Sequence, residues 1–170
     1  MTKISIATEN DISELNLLIN SAYRGEGSKS GWTTEADLLD GIRTDDESLN
    51  KIIHRPKTFL LKYSENKKIA ACVLLEKQDD ALYLGMLTVS PELQGKGVGK
   101  ILLKAAEEKA KQLQCTKIKM TVISVRDELI AWYQRHGYND TGKREPFPME
   151  DPKFGIPKIH LEFIVMEKEI

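Results

Sequence analysis

Apolar residues recur along the chain at two different spacings, and each spacing predicts one type of element. At the N-terminus, the short alternating stretch from Lys3 to Ala7 indicates a strand. Thr8 and Asp11 then have the spacing of a capping box, which typically begins a helix. The helical spacing that follows is carried by Ile12, Leu15, Leu18, Ile19 and Ala22. We therefore expect a first strand and then a helix whose apolar stripe faces the core.

Two further helical segments are predicted after a loop rich in glycine and serine. Thr33 or Thr34 caps a helix that runs to Gly41. The stretch from Asp45 to His54 predicts another helix, which ends because the residue before Pro56 is restricted to extended conformations.

Three consecutive strands are expected next. Thr58 to Tyr63 and Ile69 to Leu75 are rich in apolar residues and are separated by a turn at Ser64 to Lys67, so they predict a hairpin. A second turn at Gln78 to Asp80 leads into the mostly apolar strand from Leu82 to Val89. These strands are therefore expected to be antiparallel.

A glycine-rich turn from Gln94 to Gly99 follows, and it opens into a helix that ends near Gln114. Lys117 to Ile123 then alternates polar and apolar residues as a strand does. A strand, a crossover helix and a further strand predict a parallel pair, so Lys117 to Ile123 is expected beside Leu82 to Val89.

The last third of the chain predicts one more helix and one more strand. Ser124 and Asp127 form a second capping-box pattern, which begins a helix that ends at Gly137. A loop rich in proline spans Glu145 to Pro157, and a final alternating strand follows from Ile159 to Val165.

Composition narrows the class of protein. The 170 residues suit one domain, residues 1–170. With 25 Lys and Arg against 26 Asp and Glu, the chain has no overall positive electrostatic field that would attract nucleic acid or an anionic membrane. We find no signal peptide and no bilayer-spanning run, so we expect a cytoplasmic protein. Cys72 and Cys115 lack metal-ligand spacing and the three histidines are scattered, so no metal is expected.

The glycine-rich turn before a helix has the composition of an anion site. The first backbone N–H groups of a helix have no internal partner, and glycines let a phosphate approach them closely. Two familiar phosphate motifs are nevertheless absent. A P-loop would need glycine where Gln94 stands, five residues before Gly99, and a dinucleotide fingerprint starting at Gly95 would need glycine where Lys100 stands. A nucleotide-binding module is therefore a distant alternative.

The turn does have the pattern Q-x-x-G-x-G, carried by Gln94, Gly97 and Gly99, after a strand that ends in L-T-V-S-P. This segment resembles the pyrophosphate-binding motif of the GNAT superfamily of acetyl-CoA-dependent N-acetyltransferases. The resemblance extends from about Ala81 to Tyr138. It implies the GNAT fold, an α/β (α+β) arrangement in which a mixed sheet of six to seven strands, mostly antiparallel with a splayed parallel central pair, is flanked by about four helices.

The resemblance also implies how acetyl-CoA would be held. Backbone groups on a bulged central strand would pair with pantetheine, and the turn would bind the pyrophosphate. The residues implied are Leu87, Thr88, Val89, Gln94, Gly95, Lys96, Gly97, Val98, Gly99 and Lys100. Gly85 independently indicates a bulge or close backbone approach, and the alternative is tight packing against a helix. Arg126 stands where many relatives carry a cofactor-contacting Asn.

Tyr133 is matched by the resemblance to the tyrosine near the thioester sulfur, which makes it the candidate general acid. A phenol with a pKa of about 10 does not readily protonate a thiolate whose acid has a pKa of about 8.5, so hydrogen bonding is expected to be the larger effect. The alternative is an aromatic that fills the core beside Trp132. Glu26, Glu35 and Glu162 are candidate bases for the amine proton, with surface carboxylates as the alternative.

The expected function is transfer of the acetyl group of acetyl-CoA to a primary amine of a small or amino-acid-like acceptor, by direct attack in a ternary complex. A protein or peptide amine is an alternative acceptor, and a non-catalytic acyl-CoA sensor is an alternative function. The exposed edge expected of the last strand would allow a homodimer.

Overall fold

The computed structural model describes residues 3–24, 38–147, 156–158 and 160–170. The helices and strands in these ranges are β1 (Ile4–Ile6), α1 (Ile12–Tyr23), β2 (Leu39–Asp40), α2 (Asp46–His54), β3 (Thr58–Glu65), β4 (Lys68–Gln78), β5 (Ala81–Val89), α3 (Val98–Gln112), β6 (Lys117–Ile123), α4 (Asp127–Arg135), β7 (Asn139–Pro146), β8 (Ile156–Pro157) and β9 (Glu162–Glu169).

Seven of the described strands form one mixed sheet in the order β1-β3-β4-β5-β6-β9-β7. Neighbouring strands are antiparallel except β5 and β6, which are parallel and connected through α3. The predicted mixed sheet with a parallel central pair and flanking helices is thereby confirmed. A separate two-stranded ribbon pairs β2 with β8.

Apolar side chains alternate between the two faces of the sheet, and each face packs against its own helices. On one face, Val73 and Leu75 of β4 lie in a core with Leu102 of α3. On the other face, Leu74 lies in a core with Leu15 of α1 and with residues of α2. The sheet is therefore the middle layer of three. Within the described ranges, none of the helices has the length and apolar composition needed to cross a bilayer.

Several local predictions were wrong. Leu39–Asp40 is a strand that pairs with β8, not the end of a helix, and the proposed caps Thr33 and Thr34 lie outside the described residues. Ser124 does not cap α4, because the residue before the helix is Arg126 and it makes no side-chain capping bond.

The last strand is not at an edge of the sheet. β9 lies between β6 and β7, so β7, which sequence reasoning missed, is the outer strand on that side. The sequence of β7 lacks the apolar alternation that predicts a strand, and all of its described side chains are exposed. The edge that was expected to allow a homodimer is therefore covered.

The parallel pair separates soon after it begins. β5 and β6 are paired only at Ala81 with Lys117, Leu82 with Ile118, and Tyr83 with Lys119. β5 continues to Val89 without a partner on that side, so its backbone groups facing β6 are not used by the sheet. This separation is the structural basis of the cleft described next.

Candidate active site

A cleft of about 630 Å³ opens between the end of β5, the glycine-rich turn and α4. Its lining residues are Leu87, Val89, Leu93, Gln94, Gly95, Gly97, Gly99, Lys100, Glu128, Leu129, Ala131, Trp132, Tyr133, Arg135 and His136. The fold thus brings together the turn and α4, which are separated by a helix and a strand in the sequence.

The turn presents a row of backbone donors. Gly95 and Gly97 have φ angles of +84° and +83°, and no atom lies within 4 Å of a Cβ built on either residue. Gly97 precedes α3 without a side-chain cap, and the first helical hydrogen bond runs 3.2 Å from the N–H of Ile101 to the carbonyl of Gly97. The three N–H groups between these residues therefore have no acceptor in the helix. Such a concave helix terminus suits a phosphate group.

Gln94 connects the turn to the end of β5. Its Nε2 donates a hydrogen bond of 3.0 Å to the carbonyl of Val89. On the other side of the same strand end, the N–H of Ser90 donates to the carbonyl of Ala70 at 2.8 Å. Gln94 lines the cleft, and its contact with Val89 fixes where the turn begins.

Gly99 allows α3 and α4 to approach each other. A Cβ at Gly99 would lie 3.1 Å from Cζ2 of Trp132, which is closer than a side chain tolerates without movement. The Trp132 ring packs at 5.1 Å from Tyr133 and at 4.5 Å from His136, measured between centroids. The indole is therefore a fixed part of the cleft wall beside the turn.

The end of β5 contains a bulge. Thr88 pairs with Cys72 and Gly85 pairs with Leu74, so two residues of β5 stand opposite one residue of β4. The first of the two bulged residues, Met86, has a φ of +53°, which is uncommon outside glycine. The second, Leu87, lines the cleft. The bulge expected for this strand is present, directly after Gly85.

Gly85 itself is in close contact with its own strand. A Cβ there would lie 2.9 Å from Cε1 of Tyr83. The alternative explanation for Gly85 was tight packing against a helix. The close neighbour is instead the ring of Tyr83, which lies two residues earlier on the same face of the strand.

Tyr133 is 5% exposed and lines the cleft. Burial raises the pKa of its phenol well above the usual value, and the neighbouring Tyr23 and Tyr138 act in the same direction while Arg126 opposes them. The hydroxyl is therefore protonated at neutral pH and is available as a hydrogen-bond donor.

The positive side chains of the predicted site differ in their exposure and in whether they line the cleft. Lys100 lines the cleft and is exposed, whereas Lys96 is exposed outside the lining. Arg126 is 9% exposed at the start of α4, and its charge acts on Tyr133 although it does not line the cleft. Thr88 and Val98 are buried and do not line the cleft.

The candidate bases are not gathered at the cleft. Glu26 and Glu35 lie outside the described residues. Glu162 begins β9 and is half-buried, its backbone carbonyl accepts the N–H of Ser124 at 2.9 Å, and it is not a lining residue. The carboxylate that does line the described part of the cleft belongs to Glu128, which is exposed.

Sequence reasoning missed the face of α4 that forms the wall. Glu128, Trp132 and His136 are spaced four residues apart, so they share one side of the helix, and this spacing could have identified them. Leu93 carried no such pattern. Within the described ranges, no three His, Cys, Asp or Glu side chains lie together as metal ligands would.

Known proteins resemble the chain in part of its sequence and in its fold. In sequence, the chain is 36% identical over 53 residues to the uncharacterized protein YdhI of Bacillus subtilis (strain 168). That match covers 31% of this chain and spans about a third, 33%, of the relative's length.

Solved structures match over nearly the whole chain. Smu.2055 of Streptococcus mutans UA159 has a TM-score of 0.75 at 15% identity, with 99% of each chain covered. The ribosomal-protein-S18-alanine N-acetyltransferase of Escherichia coli has a TM-score of 0.72 at 16% identity, covering 100% of this chain and 94% of that one. The PaiA N-acetyltransferase of Thermoplasma acidophilum, solved with coenzyme A, has a TM-score of 0.70 at 18% identity, with 100% of each chain covered. At these identities the matches show the fold.

The family itself is shown by sequence. The model of the acetyltransferase (GNAT) family matches residues 16–138, which include the turn, the bulged strand and Tyr133. The chain belongs to the acetyltransferase (GNAT) family.

Proposed function

We propose that residues 1–170 form one cytoplasmic N-acetyltransferase domain. It transfers the acetyl group of acetyl-CoA to a primary amine of a small or amino-acid-like acceptor, by direct attack in a ternary complex. The observation that carries the proposal is the row of N–H groups at the start of α3, which have no acceptor in the helix and directly follow two glycines with positive φ. These groups lie at a cleft that is also lined by the buried Tyr133. Cys72 and Cys115 are buried free thiols, which supports a reducing compartment.

The residues present suit coenzyme A. Neither Gly95 nor Gly97 has a side chain, and no atom lies within 4 Å of the position that a Cβ would take at either residue, so a phosphate can approach their backbone. Residues 94–100 would bind the diphosphate, with Lys100 adding attraction that salt weakens. Residues 87–89 would bind the pantetheine amides through backbone groups that β6 does not use.

Acetyl-CoA supplies an acetyl group that is activated as a thioester. The chain must then donate a hydrogen bond to the charge that develops on the acetyl oxygen, and must stabilise the sulfur that departs. We assign the first role to a backbone N–H of residues 87–89, at and directly after the bulge, and the second to the hydroxyl of Tyr133. Because burial raises the pKa of Tyr133, full proton transfer to a thiolate is unfavourable, and the hydroxyl acts chiefly as a donor.

The base that accepts the amine proton is proposed to be one of Glu26, Glu35 and Glu162. Replacing each in turn by Gln identifies it. The variant that lacks the base loses the acidic limb of the profile of kcat/KM against pH, because that limb reports the ionisation of the free enzyme's base. The other two variants keep the limb.

A protein N-terminus is the second candidate acceptor. One structural neighbour is a ribosomal-protein-S18-alanine N-acetyltransferase, and another is a putative phosphinothricin N-acetyltransferase, so proteins with this fold differ in acceptor size. A screen that offers short peptides with free N-termini beside small amines, at equal concentrations, separates the two. Preference for the small amines by kcat/KM supports the first candidate.

The cofactor part of the proposal is tested with Gly97→Asp. The new carboxylate would lie at the N-terminus of α3. It would compete with the diphosphate of acetyl-CoA for the backbone N–H groups there. Calorimetry with acetyl-CoA should show affinity reduced by at least about 30-fold, which is on the order of 2 kcal/mol.

Gly142→Asp is the matched control. Gly142 has a φ of +85° and open space around its Cβ position, as Gly97 has, but it lies on β7 outside the cleft. Unchanged affinity in both variants would refute the proposed cofactor site. Normal binding by the unmodified protein without turnover of any amine would instead indicate an acyl-CoA sensor.

A further inference from the structure

The last residue of α1 contacts the bulge from the opposite side of the sheet. Tyr23 donates a hydrogen bond from its hydroxyl to the carbonyl of Leu87, the bulged residue that lines the cleft. Both residues are 8% exposed. Tyr23 carries no recognisable motif, and the structure places it as the last residue of α1.

Side chains hold the carbonyl groups throughout this end of β5. Thr88 Oγ1 donates to the carbonyl of Met86 at 2.9 Å, and Gln94 Nε2 donates to that of Val89 at 3.0 Å. Thr88 and Gln94 belong to the strand and to the turn that follows it. Tyr23 is therefore the contact by which a distant element, α1, fixes a peptide of the bulge.

Fixing one carbonyl fixes a whole peptide plane. Because the peptide group is planar and trans, the carbonyl of Leu87 and the N–H of Thr88 point in opposite directions and turn together. The plane belongs to a bulge in which Met86 has a positive φ, a conformation that persists only where surrounding contacts hold it. Without the phenol, the orientation of this plane would depend on the strand alone.

The Tyr23 ring is itself held in place. The guanidinium of Arg43 lies over it, with Cζ 5.4 Å from the ring centroid. The N–H of Arg43 donates to Oδ1 of Asn20 at 2.7 Å, so the segment that carries Arg43 is attached to α1. The hydroxyl is thus presented to Leu87 by a ring with little freedom to rotate.

We propose that Tyr23 is a positioning residue for acetyl transfer, which acts by orienting the peptides of the β5 bulge. This inference rests on the proposed function, because it assigns to those peptides the contact with the acetyl oxygen. Tyr23 touches the backbone that would act, so its effect is on the rate of the chemical step more than on cofactor affinity.

The test is Tyr23→Phe, with Tyr63→Phe as the matched control. Tyr63 is 5% exposed and donates one hydrogen bond of 2.9 Å to Glu65, on β3 away from the cleft. Each variant removes one hydroxyl from a buried ring, so we expect similar losses of stability in denaturant unfolding. We expect kcat to fall about tenfold in Tyr23→Phe alone, with KM for acetyl-CoA changed less than about threefold.

A second measurement does not depend on turnover. Amide hydrogen exchange followed by NMR should accelerate at Leu87 and Thr88 in Tyr23→Phe, and should remain unchanged there in Tyr63→Phe. Wild-type turnover together with equal kcat in the two variants and unchanged exchange at the bulge would overturn the role of Tyr23 while leaving the proposed function standing. No turnover of any amine by the wild type would overturn the proposed function and this role with it.

Discussion

Gly99 of α3 lies directly against the indole of Trp132 of α4, so close that a Cβ on the glycine would be 3.1 Å from Cζ2. Gly99→Ala should therefore displace the indole into the cleft. We expect affinity for acetyl-CoA to fall about three- to tenfold, because the displaced indole would occupy part of the cleft. Calorimetry measures the change.

A double variant separates displacement of the ring from other effects of the alanine. In a Trp132→Leu background the methyl group has room, so Gly99→Ala should cost less affinity there than in the wild type. Equal costs in the two backgrounds would show that the indole does not transmit the effect.

Tyr133→Phe removes the proposed donor to the departing sulfur and keeps the ring in its place. We expect kcat to fall about 100-fold with affinity for acetyl-CoA nearly unchanged, because the lost hydrogen bond strengthens as charge develops. Steady-state kinetics and calorimetry on the same sample give both values. A loss of affinity with kcat preserved would assign Tyr133 to binding instead.

Tyr138→Phe is the natural comparison for that variant. The Tyr138 ring lies 5.8 Å from that of Tyr133, and its hydroxyl is buried with no hydrogen-bond partner among the described residues. Removing an unpaired buried hydroxyl should be neutral or stabilising in thermal unfolding, and should leave kcat within about twofold. A clear loss of stability would show that the hydroxyl is paired.

Lys100→Gln should weaken acetyl-CoA binding in a salt-dependent manner. Lys100 is an exposed lining residue near the proposed diphosphate position, so we expect about a threefold loss at low ionic strength that shrinks as salt rises. Lys104→Gln, one turn further along the same face of α3, is exposed outside the lining and serves as the control. Identical salt dependence in the two variants would exclude a specific role for Lys100.

The stability of the fold should decline in alkaline solution. Burial raises the pKa of the Cys72 thiol to about 12, and burial also raises the pKa of Tyr133 above its ordinary value. Between the ordinary pKa of a thiol, about 9, and pH 12, the unfolded chain releases the Cys72 proton and the native chain keeps it, so stability falls as pH rises. Urea unfolding from pH 8 to 11 measures this decline. A flat profile would contradict the burial of both groups.

Local sequence predicted those parts of the site that contiguous residues build. The helix predicted from Asp45 is present, with Ser48 N–H donating to the Asp45 carboxylate at 2.8 Å, because a cap needs only neighbours in the chain. The strand, glycine-rich turn and helix around Gly97 are predictable for the same reason. Ile101 shows the limit of the approach, since its apolar side chain lies in the first turn of α3 and is nevertheless 43% exposed.

Contacts between distant segments could not be predicted. Tyr23 and Trp132 both have ordinary core spacing on their helices, and only the fold shows that one contacts the bulge and the other the turn. β9 was expected at an edge because nothing in its own residues reports that β7 pairs with its far side. Pairing order depends on the whole sheet, and local spacing carries no information about it.

The short pairing of β5 with β6 has a consequence for the durability of the domain. In the described sheet these strands share three residue pairs, whereas β6 and β9 share seven. The sheet therefore has two halves, β1-β3-β4-β5 and β6-β9-β7, that are joined by a narrow seam between β5 and β6. Partial opening between the two halves of the sheet should start at that seam, where only three residue pairs join them. A ligand that binds between the two halves would bind only the closed form. It would raise the free energy of opening by RT ln(1 + [L]/Kd). The gap that would bind a ligand is thus also the place where the sheet opens first. Resistance of the domain to proteases should therefore rise as more of the protein has ligand bound.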